Sequence, residues 1–315
     1  MLHTVSLIIG FASLLAAATA SASPTDPQSP HQQATTACRL CLYGPDNMAF
    51  DAAGNVYLVD TDHNTRSRVL KLSPQGQVLA EWRVFVAVPG RSNGPDGIAL
   101  DPEGNIFVVD RGGDRILKLS PTGKVLTEFG GFPARAFDEG GHVAVGKHGS
   151  IYGVAAGANL IRKFSPQGKL IASWHRGPGK GPDQWNWPEQ ISVEAHGDLV
   201  IDDFRNVRIL TLSPSGRTVR AFDAVPNEPL KLASTSSVAV GPEGNIYVAD
   251  YQLYRIQEFD SHGRLLATIG NTPGNILFKK APNSIAIDAH GHLYATDGLS
   301  VIKFSRQGKL LARRQ

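Results

Sequence analysis

Six positions in this 315-residue chain recur at intervals of 45 to 50 residues: Asp46, Asp96, Gly141, Glu189, Ser236 and Asn283. The positions after them are Asn47, Gly97, His142, Gln190, Ser237 and Ser284. Asp46, Asp96, Glu189 and Asn283 form an oxygen-rich set suited to a hard divalent cation such as calcium. The same carboxyl groups, with His142, could instead work as general acid and base. A structural alternative is that Asp and Asn at loop-to-strand junctions cap free backbone groups. A second candidate is local. Trp185 and Trp187 stand near Arg176 and Lys180 in a segment without a repeat counterpart, where indoles could stack on a sugar or anchor a partner. Self-packing of that loop would explain them equally well.

Chemistry at such wide spacing needs a scaffold that brings repeats to one point. Turn glycines mark the period: Gly54, Gly104, Gly149, Gly197, Gly244 and Gly291, then Gly76, Gly123, Gly168, Gly216, Gly263 and Gly308. Two markers with one period in six copies identify a repeat architecture. Each copy holds four short apolar runs, in the second copy Gly97–Leu100, Asn105–Val109, Arg115–Leu119 and Lys124–Phe129, none long enough for a helix. Pro early and Gly late between runs is tight-turn chemistry. Six four-stranded antiparallel sheets bury their faces by packing radially, so the expected fold is an all-β, six-bladed β-propeller. The innermost strands converge on a channel, and the six positions above enter those strands at its upper mouth. The connections between blades, such as Gly130–Gly140 and His175–Pro188, are long and individual, which makes the face they form the candidate binding face.

The repeats resemble NHL repeats. The motif stands as Gly94-Pro-Asp-Gly-Ile-Ala-Leu-Asp-Pro-Glu-Gly-Asn-Ile-Phe-Val-Val-Asp110, followed by Asp114-Arg115-Ile116, and recurs as Val238 to Asp250 with Arg255-Ile256. The resemblance runs from Gly44 to the C-terminus. It implies the propeller fold and an architectural relation to peptidyl-hydroxyglycine lyase, virginiamycin B lyase and gluconolactonase-like propellers. From the last it implies a divalent metal in the channel on carboxylate and Asn ligands, although the sequence pattern of those enzymes is not reproduced here. Asp60, Asp110, Asp203, Asp250 and Asp297 recur at the end of the second strand, and their pairing with downstream Arg or Asn reads as structural. His148, His196, His262 and His290 each precede a turn glycine and read as turn residues. His63, His142 and His175 match the lyase zinc site only in number.

Composition narrows the function. Net charge is +3 and dispersed, which argues against a nucleic-acid partner. Residues 1–22 lack Lys, Arg, Asp and Glu, carry an apolar run from Val5 to Ala18, and end in small residues, as a secretory signal peptide does. The run is too short to span a bilayer comfortably, and no membrane span is expected. Residues 23–43 read as a linker, and 44–315 as the propeller. Cys38 and Cys41, with no second pair, suit a local disulfide in an exported protein. The expectation is a secreted or periplasmic monomer that binds a small molecule, glycan or protein through its top face. The alternative is a metal-dependent lyase or hydrolase, lactonase-like, at the channel mouth.

Overall fold

The computed structural model describes residues 42–62, 66–85, 87–146, 148–223, 232, 234–271 and 276–314. The segment 1–22 read as a signal peptide, with Cys38, Cys41 and His63, lies outside the described residues. The chain forms six sheets, each of four antiparallel strands in sequence order. Blade 1 comprises β1 (Pro45–Phe50), β2 (Val56–Asp60), β3 (Arg68–Leu72) and β4 (Val78–Trp82). Blade 2 comprises β5 (Pro95–Leu100), β6 (Ile106–Asp110), β7 (Arg115–Leu119) and β8 (Val125–Phe129). Blades 3 to 6 follow as β9–β12 (141–175), β13–β16 (188–223), β17–β20 (235–270) and β21–β24 (284–314). Each innermost strand packs against its two counterparts, and β1 against β21 closes the ring.

Burial follows the radial order. In every blade the second strand is buried along its whole length, because both faces of the sheet meet a neighbouring blade. The outermost strand leaves Leu79, Leu126, Ile171 and Leu311 exposed. Its inward residues lean on the next blade. Trp82 donates Nε1 to Thr122 O at 3.2 Å and packs where a Cβ on Gly123 would collide with the indole. Gly123 also has φ +83°, so the turn needs glycine for both reasons. Trp174 packs on Gly216 in the same way.

The ring closes without exchanging a strand, since blades 1 and 6 each complete their own sheet. Closure therefore rests on side chains. Met48, Leu58 and Leu70 pack with Tyr294, and the Phe50 and Tyr294 rings lie 4.4 Å apart. Ser284 Oγ donates to Asn47 Oδ1 at 3.0 Å, and Asn283 Nδ2 to Asp46 Oδ1 at 2.7 Å.

The recurring Asp at the end of the second strand is structural, as its pattern suggested. Its carboxylate takes Arg68 Nε on Asp60 at 2.8 Å, Arg115 Nε on Asp110 at 2.9 Å, Arg208 Nε on Asp203 at 2.7 Å and Arg255 Nε on Asp250 at 3.1 Å. In blade 6, Ser300 Oγ replaces the guanidinium on Asp297 at 2.8 Å. The linker's last residue is tied in too, because Tyr43 N donates to Asp60 Oδ1 at 2.7 Å.

Candidate functional site at the channel mouth

Pairing between first and second strands slips in blades 1, 2, 4 and 5. The slips fall between Pro45 and Met48, Pro95 and Ile98, Pro188 and Ile191, and Thr235 and Ser237. A bulge re-aims side chains, and these four bulges hold Asp46, Asp96, Glu189 and Ser236. Blades 3 and 6 pair without a slip. All four bulge residues line one cavity of about 380 Å³ together with Asn283 and Gly141. That volume suits a small ligand.

A polar layer floors the cavity. Gln190 Nε2 donates to Asn47 Oδ1 at 2.9 Å, and Asn47 Nδ2 reaches Asp96 Oδ1 at 3.4 Å. Asp96 Oδ2 accepts Gly141 N at 2.9 Å and lies 3.7 Å from Arg111 Nη1. Arg111 is held from behind, its Nε donating to Phe137 O at 3.1 Å and Nη2 to Asp138 O at 2.5 Å. Asp96 is thus committed to the floor. Glu189 is different: its carboxyl faces the cavity and accepts no hydrogen bond from the described residues. Between the two acids, Gly140 at φ +116° leaves space that a Cβ would fill at 3.8 Å from both Asp96 Oδ2 and Glu189 Oε1.

Electrostatics follow from the enclosure. Burial, then the charges of Asp202, Asp96 and Asp46, push Glu189 up to about 8 against the pull of Arg111. Burial and Asp96 raise Asp46 to about 7. Asp202, behind the wall, is raised to about 7 by burial and by Asp203, although Thr235 Oγ1 donates to its Oδ1 at 2.5 Å. Its Oδ2 is buried without a hydrogen-bond partner. At neutral pH the mouth therefore carries carboxylic acids able to donate a proton.

A metal reading of Asp46, Asp96, Glu189 and Asn283 does not fit this arrangement. Asp96 is engaged by Gly141 N, Asn47 Nδ2 and the nearby Arg111, and Asn283 turns an N–H donor toward Asp46. No three carboxyl or histidine ligand atoms of the cavity lie mutually within 4.8 Å, the width of a calcium shell with contacts near 2.4 Å. Among the described residues the tight groupings are Glu194, His196, Asp198 and Asp288, His290, His292, both at turns between first and second strands. His196 and His290 thus sit in the turns where their spacing placed them.

Other candidates separate from the mouth. His142 lines a second cavity of about 360 Å³ below the polar layer, among Ile98, Val143 and Ile191. Burial holds its imidazole down to about 4, and Nδ1 has no hydrogen-bond partner. Trp185 is fully buried, with Nε1 donating to Asn159 O at 2.9 Å and the Arg176 guanidinium 4.7 Å from its ring, as the self-packing alternative requires. Trp187 lies under Arg205 at 3.7 Å. Arg176 is tied to Gly216 O at 2.7 Å, Thr218 Oγ1 at 3.1 Å and Asp183 at 3.0 Å. The loop packs on itself, and none of the three reaches the channel mouth. His175 is exposed.

Sequence reasoning missed Arg111, Glu139, Asp202, Phe204 and Tyr251. A signal was available for four of them. The residue after the second-strand Asp runs Thr61, Arg111, Ala156, Phe204, Tyr251, Gly298, and the residue before it runs Val59, Val109, Val154, Asp202, Ala249, Thr296. Arg111 and Asp202 are the charged exceptions in those two series.

Comparison with known proteins agrees with this architecture. A family model described as SMP-30/Gluconolactonase/LRE-like region matches residues 45–136. Among solved structures, a streptogramin B lyase aligns with TM-score 0.63 and 17% identity over 88% of this chain and 84% of its own. The chain is a six-bladed propeller that shares the fold of these proteins. Virginiamycin B lyase from Staphylococcus aureus aligns with TM-score 0.61 and 16% identity, covering 86% of this chain and 84% of that one. A chain of the nidogen/laminin complex gives TM-score 0.55 and 19% identity over 77% and 84%. No curated protein matches the sequence. At these identities the structural likeness is one of fold, and a fold does not choose a function.

Proposed function

We propose that the propeller is a small-molecule-binding protein whose ligand enters the channel mouth and contacts Glu189, Asp46 and Asn283. One observation carries the reading: residues from separate blades, re-aimed by strand bulges, meet at one cavity into which Glu189 offers a carboxyl group that no described residue satisfies. Glu189 is half-buried at the cavity wall, so water reaches its carboxyl group, and a ligand donor would take that water's place. Phe204 and the half-exposed Tyr251 form part of the cavity wall.

A second reading, lyase or hydrolase chemistry in the same cavity, is favoured by the acid pair. Glu189 and Asp46, raised to about 8 and about 7, lie near neutrality, the range in which a general acid or base works best. In that reading Glu189 gives or takes a proton at the ligand atom it contacts, Asn283 orients Asp46, and the floor amides exclude water from below.

Melting curves against a panel of sugars, polyols, carboxylic acids and amines test the site. Saturation at a hundred times Kd stabilises by about 2.7 kcal/mol. Compounds that raise Tm are expected to lose most of the effect in Glu189→Gln and Tyr251→Ala. Stabilisation that both variants retain in full would place the ligand elsewhere and overturn the proposal.

A further inference from the structure

Resting on that small-molecule reading, we infer that the ligand is a small organic cation, an amine held by the mouth carboxyl groups beside an aromatic wall. Charge balance is the first observation. Asp46, Asp96, Glu139 and Glu189 line the cavity against one basic residue, Arg111, which is spent on Asp96 and two backbone carbonyls. Three acids remain without a cation of their own. Tyr251 in the same wall brings no positive charge, and Asp202 behind the wall adds to the negative side.

Spacing is the second. The cavity's carboxyl oxygens do not gather within 4.8 Å in threes, so they are too spread for one metal shell. A diamine can set its two nitrogens on separate carboxyl groups, and an ammonium group needs only one or two such acceptors, at about 2.7–2.9 Å each. It also carries three N–H donors and no acceptor, complementary to acceptors such as Glu189 and the second oxygen of Asp46. The third observation is the wall itself. Phe204 and Tyr251 supply π faces, which attract a cation and give a neutral polyol no such gain.

Binding of a cation favours the charged form of neighbouring acids. Glu189 and Asp46 would give up protons as the amine binds at pH 7. The titratable and charged groups facing them are Asp96, Arg111, Glu139, Asp202 and Tyr251.

The test uses the full propeller and matched probes: ethanolamine, butane-1,4-diamine and agmatine against ethylene glycol and butane-1,4-diol, with calcium and magnesium chloride at equal ionic strength. At least one amine is expected to raise Tm by several degrees while its diol counterpart does not. Calorimetry at pH 7 should give different heats in phosphate and Tris, the mark of proton release, and affinity should fall at least tenfold in Glu189→Gln and in Asp46→Asn. Diols that stabilise as well as amines, and lose the effect in Glu189→Gln, would overturn the cation and leave the small-molecule site standing. Stabilisation by the metal salts alone, or by no amine, would also overturn it.

Discussion

Removing residues 282–315 is expected to abolish cooperative folding. The deletion takes out β21–β24 and strips two blade faces at once. Blade 1 loses Tyr294 from the cluster around Met48, Leu58 and Leu70, and blade 5 loses Ile285, Leu293, Ile302 and Phe304 from the cluster around Tyr247 and Ile256. Each large apolar side chain is worth roughly 1.5–3 kcal/mol when fully buried, against a total stability of only about 5–15 kcal/mol for a typical protein. No strand crosses the closure to hold the remaining five blades in a ring. The truncated chain should be insoluble, or soluble with a broad non-cooperative melt. A soluble product that melts sharply would count against a ring whose blades stabilise one another.

The second large effect is expected at Asp203. Its carboxylate is fully buried and accepts Asn186 N at 2.6 Å, Asn206 Nδ2 at 2.7 Å and Arg208 Nε at 2.7 Å. Arg208, also buried, donates onward to Lys180 O and Gln184 O, both at 2.8 Å. Asp203→Ala would leave that guanidinium without its counter-charge, and breaking a buried pair from one side costs about 3–5 kcal/mol. Asp203→Asn, which keeps an acceptor for one donor, should cost less. Urea unfolding checks both. A loss under about 1 kcal/mol for Asp203→Ala would mean that the loop of residues 176–187 stands without the pair.

The fold was legible because its signals are local and repeated six times. The four runs read in blade 2 fall on β5–β8, all but the third starting one or two residues away from the strands formed. Four residues of the channel mouth were legible for the same reason: alignment on turn glycines places Asp46, Asp96, Glu189 and Asn283 in one ring, and they line one cavity. Their division of labour was not legible. That Asp96 is spent on Gly141 N and Arg111, while Glu189 is left open, depends on bulge geometry and on a loop whose carbonyls hold Arg111. Those are contacts between distant segments, which periodicity does not encode. For Trp185 the sequence left ligand contact and loop self-packing open; Asn159 and Arg176, from strand ends nearby, turn it inward and decide for self-packing.

On the reading proposed for the cavity, Glu189 is an acid held protonated at neutrality. Its folded value near 8 lies above the ordinary 4.5, so the folded chain keeps a proton that the unfolded chain gives up. The stability linked to that proton is complete below about pH 4.5 and is lost as pH rises through about 8. Asp46 acts in the same sense. His142, neutral down to about 4, acts oppositely, its stabilisation fading as pH falls from 6.5 toward 4. The clean window is therefore pH 6.5 to 9, where wild type should lose stability that Glu189→Gln retains. The most direct measurement is a carboxyl carbon NMR titration of protein labelled at glutamate. One glutamate resonance should titrate near pH 8 and vanish in Glu189→Gln. If every glutamate titrates between about 4 and 5, an ordinary range for that side chain, Glu189 is a solvated carboxylate and the reading of the cavity fails.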